Sequence, residues 1–146
     1  MDANEKRLIE QECRDLVVAL GFYTDRGEND KAVVLFAPDG QWIRAGKPLT
    51  GHRELLESMK ERSPTIIVRH MIANIMIQVK DGKSAEGVTY YTAYNHDTGA
   101  NPHKLPAPLG LPFSLGEWHD KFVLTPEGWR ISKRETKRLF QRPEGK

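Results

Sequence analysis

The chain has 146 residues, 22 of them basic and 20 acidic, for a formal net charge of +2. That length suits one domain around a single core and is short for two, and the near-cancelling charge gives no general case for nucleic-acid or membrane binding. A single cysteine, Cys13, excludes an internal disulfide and a thiolate zinc cage.

The opening MDANEKRLIE is charged throughout and lacks the apolar core of a signal peptide, and no apolar run reaches about 18 residues. The expectation is a soluble, cytoplasmic protein. From Glu5 to about Asp25 the apolar residues Leu8, Ile9, Cys13, Leu16, Val17 and Leu20 recur at helical spacing, with Asp2 or Asn4 as the cap. Val18, Phe22 and Asp25 form a neighbouring stripe that could carry the carboxylate onto a partly buried face, where it needs a partner. Asn29 or Asp30 caps a short second helix through Phe36. Pro38-Asp39-Gly40 reads as a turn before a brief extended segment, Gln41 to Arg44. Thr50 caps a third helix from His52 to Arg62, closed off by Pro64.

Beyond Pro64 the pattern becomes extended. Thr65 to Lys80 and Ser84 to about His96 form a hairpin across Asp81-Gly82, and Ser114 to Leu124 and Trp129 to Phe140 form a second across Thr125-Pro126-Glu127-Gly128. Between the hairpins, residues 97–112 hold four prolines and two glycines without periodicity, a loop suited to a lid or an interface. Helices followed by long antiparallel strands predict an α+β domain, residues 1–146 with a core over about 5–140, in which a curved sheet packs against the helices around a central pocket.

Strand parity places His70, Ile72, Asn74 and Met76 on one face of the first long strand, and Gly87, Thr89, Tyr91, Ala93 and Asn95 together on the second. An imidazole held by a carboxylate is the standard constellation of a general base, so Asp25 and His70 form the candidate pair if the fold brings them together. The aromatics Trp42, Trp118 and Trp129 read first as wall or core. In the basic strand Trp129 to Glu135, most charges protect an edge, while an inward Arg134 could attract a leaving group or polarise a substrate oxygen. The five histidines have none of the familiar metal-site spacings, and glycine-rich phosphate cradles and a serine nucleophile elbow are absent, so neither metal nor cofactor is expected.

The segments Tyr23-Thr24-Asp25-Arg26-Gly27, Phe36-Ala37-Pro38-Asp39-Gly40, Leu49-Thr50-Gly51-His52, Arg69-His70-Met71-Ile72-Ala73-Asn74 and Gly128-Trp129-Arg130-Ile131-Ser132-Lys133-Arg134 together resemble the SnoaL-like branch of the nuclear transport factor 2-like superfamily, over about residues 5–140. The resemblance implies a cone-shaped fold with three N-terminal helices against a strongly curved mixed or antiparallel sheet. Within the superfamily the pattern is most similar to scytalone dehydratase and hexachlorocyclohexane dehydrochlorinase, which eliminate water or HCl with a His–Asp pair and no cofactor. Asp25 and His70 fall on that pair, and Arg134 on a pocket arginine of the dehydrochlorinase. Thr24 stands where the dehydratase has tyrosine, and Asn95 where it has a second histidine.

The implied activity is that of a cofactor-independent lyase or isomerase. It would act on a small cyclic hydrophobic substrate, with His70 as base, Asp25 as its orienter and Arg134 or Asn95 assisting the leaving group. Tyr23, Trp42, Asn74, Met76, Tyr91, Asn95 and Trp118 would shape the pocket. A non-catalytic ligand-binding or assembly module is the alternative, as is a small subunit resembling that of ring-hydroxylating dioxygenases. Either way the resemblance implies a homo-oligomer, dimer or trimer.

Overall fold

A computed structural model describes residues 1–145. Helix α1 (Ala3–Asp25) starts on a reciprocal cap in which the Asp2 carboxylate accepts from the Asn4 and Glu5 backbone amides while the Glu5 carboxylate accepts from the Asp2 amide. Its buried residues are Cys13, Leu16, Val17, Leu20 and Gly21. Helix α2 (Asn29–Val33) is a single short stretch that ends before Phe36, and α3 (Gly51–Lys60) follows Thr50.

Strands β1 (Phe36–Arg44), β2 (Lys47–Thr50), β3 (Ile66–Val79), β4 (Ser84–Asp97), β5 (Ser114–Thr125) and β6 (Gly128–Gln141) form one sheet in the order β2-β1-β6-β5-β4-β3. All neighbours are antiparallel except β1 and β6, which run parallel. The two long hairpins match the sequence pattern closely. The N-terminal hairpin does not: Pro38-Asp39-Gly40 is no turn but an outward bulge within β1, between the Phe36–Ile131 and Gln41–Lys133 pairings. The turn itself lies at Ala45 and Gly46, both at positive φ (50° and 76°), which suits a two-residue hairpin but was hidden because alanine rarely signals it.

The sheet curls around α1. β3 and β6 are three strand spacings apart, about 14 Å, wider than a bare helix of about 10 Å, yet α1 packs against both. Close approach to β3 depends on Gly21, where an added Cβ would lie 2.7 Å from Ile72 Cδ1. Asp25 lies one helical step beyond, continuing the buried Cys13, Val17, Gly21 series. The expected Val18–Phe22 stripe is instead about half exposed, at 53% and 50%.

Two β-bulges decide which side chains face inward. In β3, Ala73 pairs with Tyr90 but Met76 with Val88, so one extra residue is accommodated around Asn74, whose φ is 50°. In β6, Ile131 pairs with Phe122 but Lys133 with Lys121, and the extra residue turns Arg134 to the buried side already occupied by Trp129 and Ile131.

Candidate active site

The end of α1 and the edge strand β3 meet at one carboxylate. Asp25 Oδ1 lies 2.5 Å from His70 Nδ1, and Asp25 Oδ2 accepts the His70 backbone amide at 2.8 Å. An edge strand has amides with no neighbouring strand to bond, and here the spare amide and the ring of one residue are held by the two oxygens of one side chain. A carboxylate accepts and does not donate, so Nδ1 carries the hydrogen, and in the neutral ring Nε2 is the nitrogen that keeps its lone pair. Nε2 makes no hydrogen bond among the described residues, and the His70 side chain, 22% exposed against 8% for Asp25, lines a cavity of about 300 Å³.

Aromatic rings set the orientation of the imidazole. Its centroid is 5.4 Å from Trp118 and 5.8 Å from Tyr91, and those two stack on each other at 4.9 Å with an interplanar angle of 4°. Trp42 completes that side of the cavity and donates its indole N–H to Thr136 Oγ1 at 2.9 Å. Val68, Met59 and Phe113 add apolar surface, and Asn95 reaches the lining while accepting from Arg142 at 3.3 Å.

Not every residue expected in the pocket reaches it. Asn74 and Met76 are exposed, Met76 at 70%, because the bulge at Asn74 reverses strand parity beyond Ala73 and moves both to the outer face; Ile75 and Ile77 take the inward positions. Tyr23 packs against the core without lining the cavity. Arg134 does turn inward, but it is fully buried and spends Nε and Nη2 on a bidentate pair with Asp120, at 2.7 and 2.8 Å. Its guanidinium lies under Trp118 at 4.2 Å and near Trp42 at 5.4 Å, outside the cavity lining. The expected direct contact between Arg134 and a leaving group is therefore corrected: its donors face a carboxylate of its own.

In the loop over 97–112, residues 107–111 line a surface hollow together with Ile67, Arg69, Tyr94 and His96, and just beyond the loop Phe113 lines the cavity. The remaining histidines serve local bonds: His52 Nε2 meets the Phe36 carbonyl at 2.9 Å, His103 Nε2 the Pro64 carbonyl at 3.0 Å, and His119 Nε2 the Glu117 carboxylate at 2.9 Å. Among the described residues no group of three histidines, cysteines or acids gathers as a metal site, and no helix is long and apolar enough to cross a membrane. Cys13 is fully buried in the core, where desolvation first, then Glu12 and Asp120, push its thiol up to about 12.

Among the lining residues that sequence reading missed are three arginines, Arg44, Arg62 and Arg138. A signal existed for two of them: Arg44 follows Trp42 by two residues in a strand, and Arg138 follows Arg134 by four, so each shares a face with a residue already singled out.

Comparison with known proteins agrees with this architecture. The sequence profile of the SnoaL-like domain matches residues 5–135. A search of curated proteins finds no match. Among solved structures, a proposed scytalone dehydratase from Novosphingobium aromaticivorans superposes with a TM-score of 0.80 at 15% identity, covering 99% of each chain. LinA, a hexachlorocyclohexane dehydrochlorinase, gives 0.80 at 13% identity over 100% of this chain and 97% of its own. An NTF2-like protein with a cystatin-like fold, also from N. aromaticivorans, gives 0.74 at 20% identity over 99% and 89%. At these identities the likeness establishes the fold, an NTF2-like α+β domain.

Proposed function

This chain belongs to the SnoaL-like domain family, and we propose that it is a cofactor-independent lyase, of dehydratase or dehydrohalogenase type, or an isomerase, acting on a small cyclic substrate. The observation that carries this reading is the His70 ring, held through Nδ1 by Asp25, lining the cavity with Nε2 unpartnered among the described residues. Nε2 takes a carbon-bound proton; in an elimination the C–H electron pair becomes a carbon–carbon double bond as the leaving group departs with its own bonding pair, and in an isomerisation the pair delocalises along the substrate and the imidazolium returns the proton at another carbon. Asp25 stabilises the imidazolium formed and keeps the ring in the reactive tautomer. Trp118, Tyr91 and Trp42 hold the apolar body of the substrate, and Asn95 is the neutral donor available to a departing or developing oxygen.

A screen of cyclic hydroxy-ketones and halogenated rings for elimination tests the proposal. Turnover that falls by about 10²-fold or more in His70→Ala supports it, in keeping with the usual contribution of a general base. A chain that binds such rings equally well with and without His70, and never turns them over, is a binding module instead. We further propose that two or more copies associate through the outer sheet face, where Met71, Tyr90, Leu139 and Phe140 are 63%, 49%, 60% and 67% exposed. Light scattering of the purified chain, with Phe140→Lys as the variant expected to dissociate it, decides that point.

A further inference from the structure

The cavity beside His70 has a charge pattern that general-base chemistry alone does not require. Three arginines, Arg44, Arg62 and Arg138, line it, and no acidic residue is among the lining residues described. Arg44 and Arg138 stand at the solvent-exposed rim, and Arg62 is half-buried. Elsewhere in the chain, cations near acids are paired with them: Arg134 with Asp120, Arg53 with Glu57, Lys31 with Glu28. Among the described residues no carboxylate oxygen comes within 4.0 Å of the three cavity arginines.

What they touch instead is neutral. Arg44 Nη2 donates to Ser58 Oγ at 2.5 Å, and its guanidinium lies 4.8 Å from the Trp42 ring. Arg62 Nη2 donates to the Thr24 carbonyl at 2.6 Å, and Arg138 lies over Phe113 at 5.2 Å. A guanidinium offers five N–H donors in a rigid fork, so these contacts fix the groups and leave most donors unspent. The charges also oppose one another. Arg44 is exposed as a residue, but the neighbouring protein partly desolvates its guanidinium and lowers its pKa, Glu61 opposing and Arg138 adding; burial lowers that of Arg62, with Asp25 opposing and Arg69 adding. Positive groups gathered around an apolar hollow raise the local potential and favour entry of a negative charge.

We propose that the substrate is a small acid: an apolar ring lies against Trp118, Tyr91 and Val68 beside His70, while an anionic oxygen group, carboxylate or phosphoryl, is held by the forks of Arg44 and Arg138. This names the substrate class of the site described above and rests on the proton-abstraction reading for the reaction, although anion recognition itself is measurable without turnover. Arg62, nearest Asp25, adds to the field in which negative charge builds on the substrate as Nε2 removes its proton.

The test is a calorimetric titration with 2-naphthoate, 2-naphthyl phosphate and the neutral 2-naphthamide. It compares the unaltered chain with Arg44→Met/Arg138→Met and the charge-keeping Arg44→Lys/Arg138→Lys. At least one anion binds the unaltered chain about tenfold or more tightly than the amide, a preference worth about 1.4 kcal/mol, and the preference shrinks at high salt. It disappears in the methionine pair and survives in part in the lysine pair, which guards against a mere folding defect. Stronger binding of naphthoate than of naphthyl phosphate identifies a carboxylate, and the reverse order a phosphoryl group. The proposal is overturned if the amide binds as tightly as both anions, if the preference persists in the methionine pair, or if none of the three binds. Turnover of a neutral ring that depends on His70 but not on Arg44 or Arg138 removes the acid and leaves the base in place. Anion preference without any turnover does the opposite.

Discussion

Two carboxylates inside the sheet each hold a nitrogen base, and they differ in one respect. Asp120 and Arg134 form a closed pair: both side chains are 1% exposed, two parallel bonds join them, and Trp118 and Trp42 cover the guanidinium. Asp25 and His70 form an open pair, in which both carboxylate oxygens bond one residue's amide and ring while that ring lines a cavity and its far nitrogen has no partner among the described residues. Charge pairing does not by itself mark a reactive site. What separates the two is whether a group with a lone pair is left over and can be reached. Trp118 touches both pairs, so the closed one serves as the rigid floor on which the open one is oriented.

The sharpest way to break this comparison is to open the closed pair. Arg134→Met leaves the Asp120 carboxylate buried and unpartnered and is expected to cost about 3–5 kcal/mol in chemical denaturation. Asp120→Leu/Arg134→Met, with no charge to strand, costs less than the single change; a double variant worse than the single refutes the structural role given to the pair.

The open pair predicts the converse. His70→Ala leaves Asp25 its backbone amide, so stability changes by about 1 kcal/mol or less, while turnover falls by about 10²-fold. Equal losses of stability in His70→Ala and Arg134→Met contradict the distinction.

A third expectation concerns Cys13, packed in the same core and influenced by Asp120. Its thiol ionises at about 12 in the folded chain against an ordinary 9.0, so the unfolded chain releases that proton first. The resulting stability is complete below about pH 9 and is lost as the pH climbs toward 12. Thermal melts of Cys13→Ala should therefore lose less between those limits than melts of the unaltered chain. At neutral pH a thiol reagent should label Cys13 only after denaturation.

The smallest effect lies far from both pairs, at the β3–β4 turn. The Lys83 amide and the Ser84 hydroxyl and amide hold the Asp81 carboxyl below the usual carboxylate range. This contribution is present above the unfolded value and lost as the pH falls through the lower folded one. Asp81→Ala should flatten the acid limb of the stability profile slightly, with no change in ligand binding.

Much of the architecture could be read from the order of residues. Helical spacing from Leu8 to Leu20 and the long β-prone runs around Asp81-Gly82 and Thr125–Gly128 are local patterns, and local patterns specify local elements. The face shared by Thr89, Tyr91, Ala93 and Asn95 was equally legible, because β4 itself gains no extra residue: the bulge opposite it lies in β3, and its ladder with β5 is unbroken. The segments that resemble the SnoaL-like family extend that reading to the whole fold.

Only the tertiary structure decided which polar side chains meet. Parity counting holds until a strand gains a residue, and the extra residues at Asn74 in β3 and near Ser132 in β6 have no local signature strong enough to announce them. One bulge moved Asn74 and Met76 away from the cavity; the other turned Arg134 inward, where Asp120 from the neighbouring strand claimed it. Likewise Asp25 and His70, 45 positions apart, meet because Gly21 lets α1 approach β3 and because an edge-strand amide was free to donate to the carboxylate. A sequence specifies which groups are present and the period on which they repeat. The distance between two such groups, and whether a nitrogen is left uncommitted there, follow from sheet curvature, bulges and helix approach, which are properties of the packed whole.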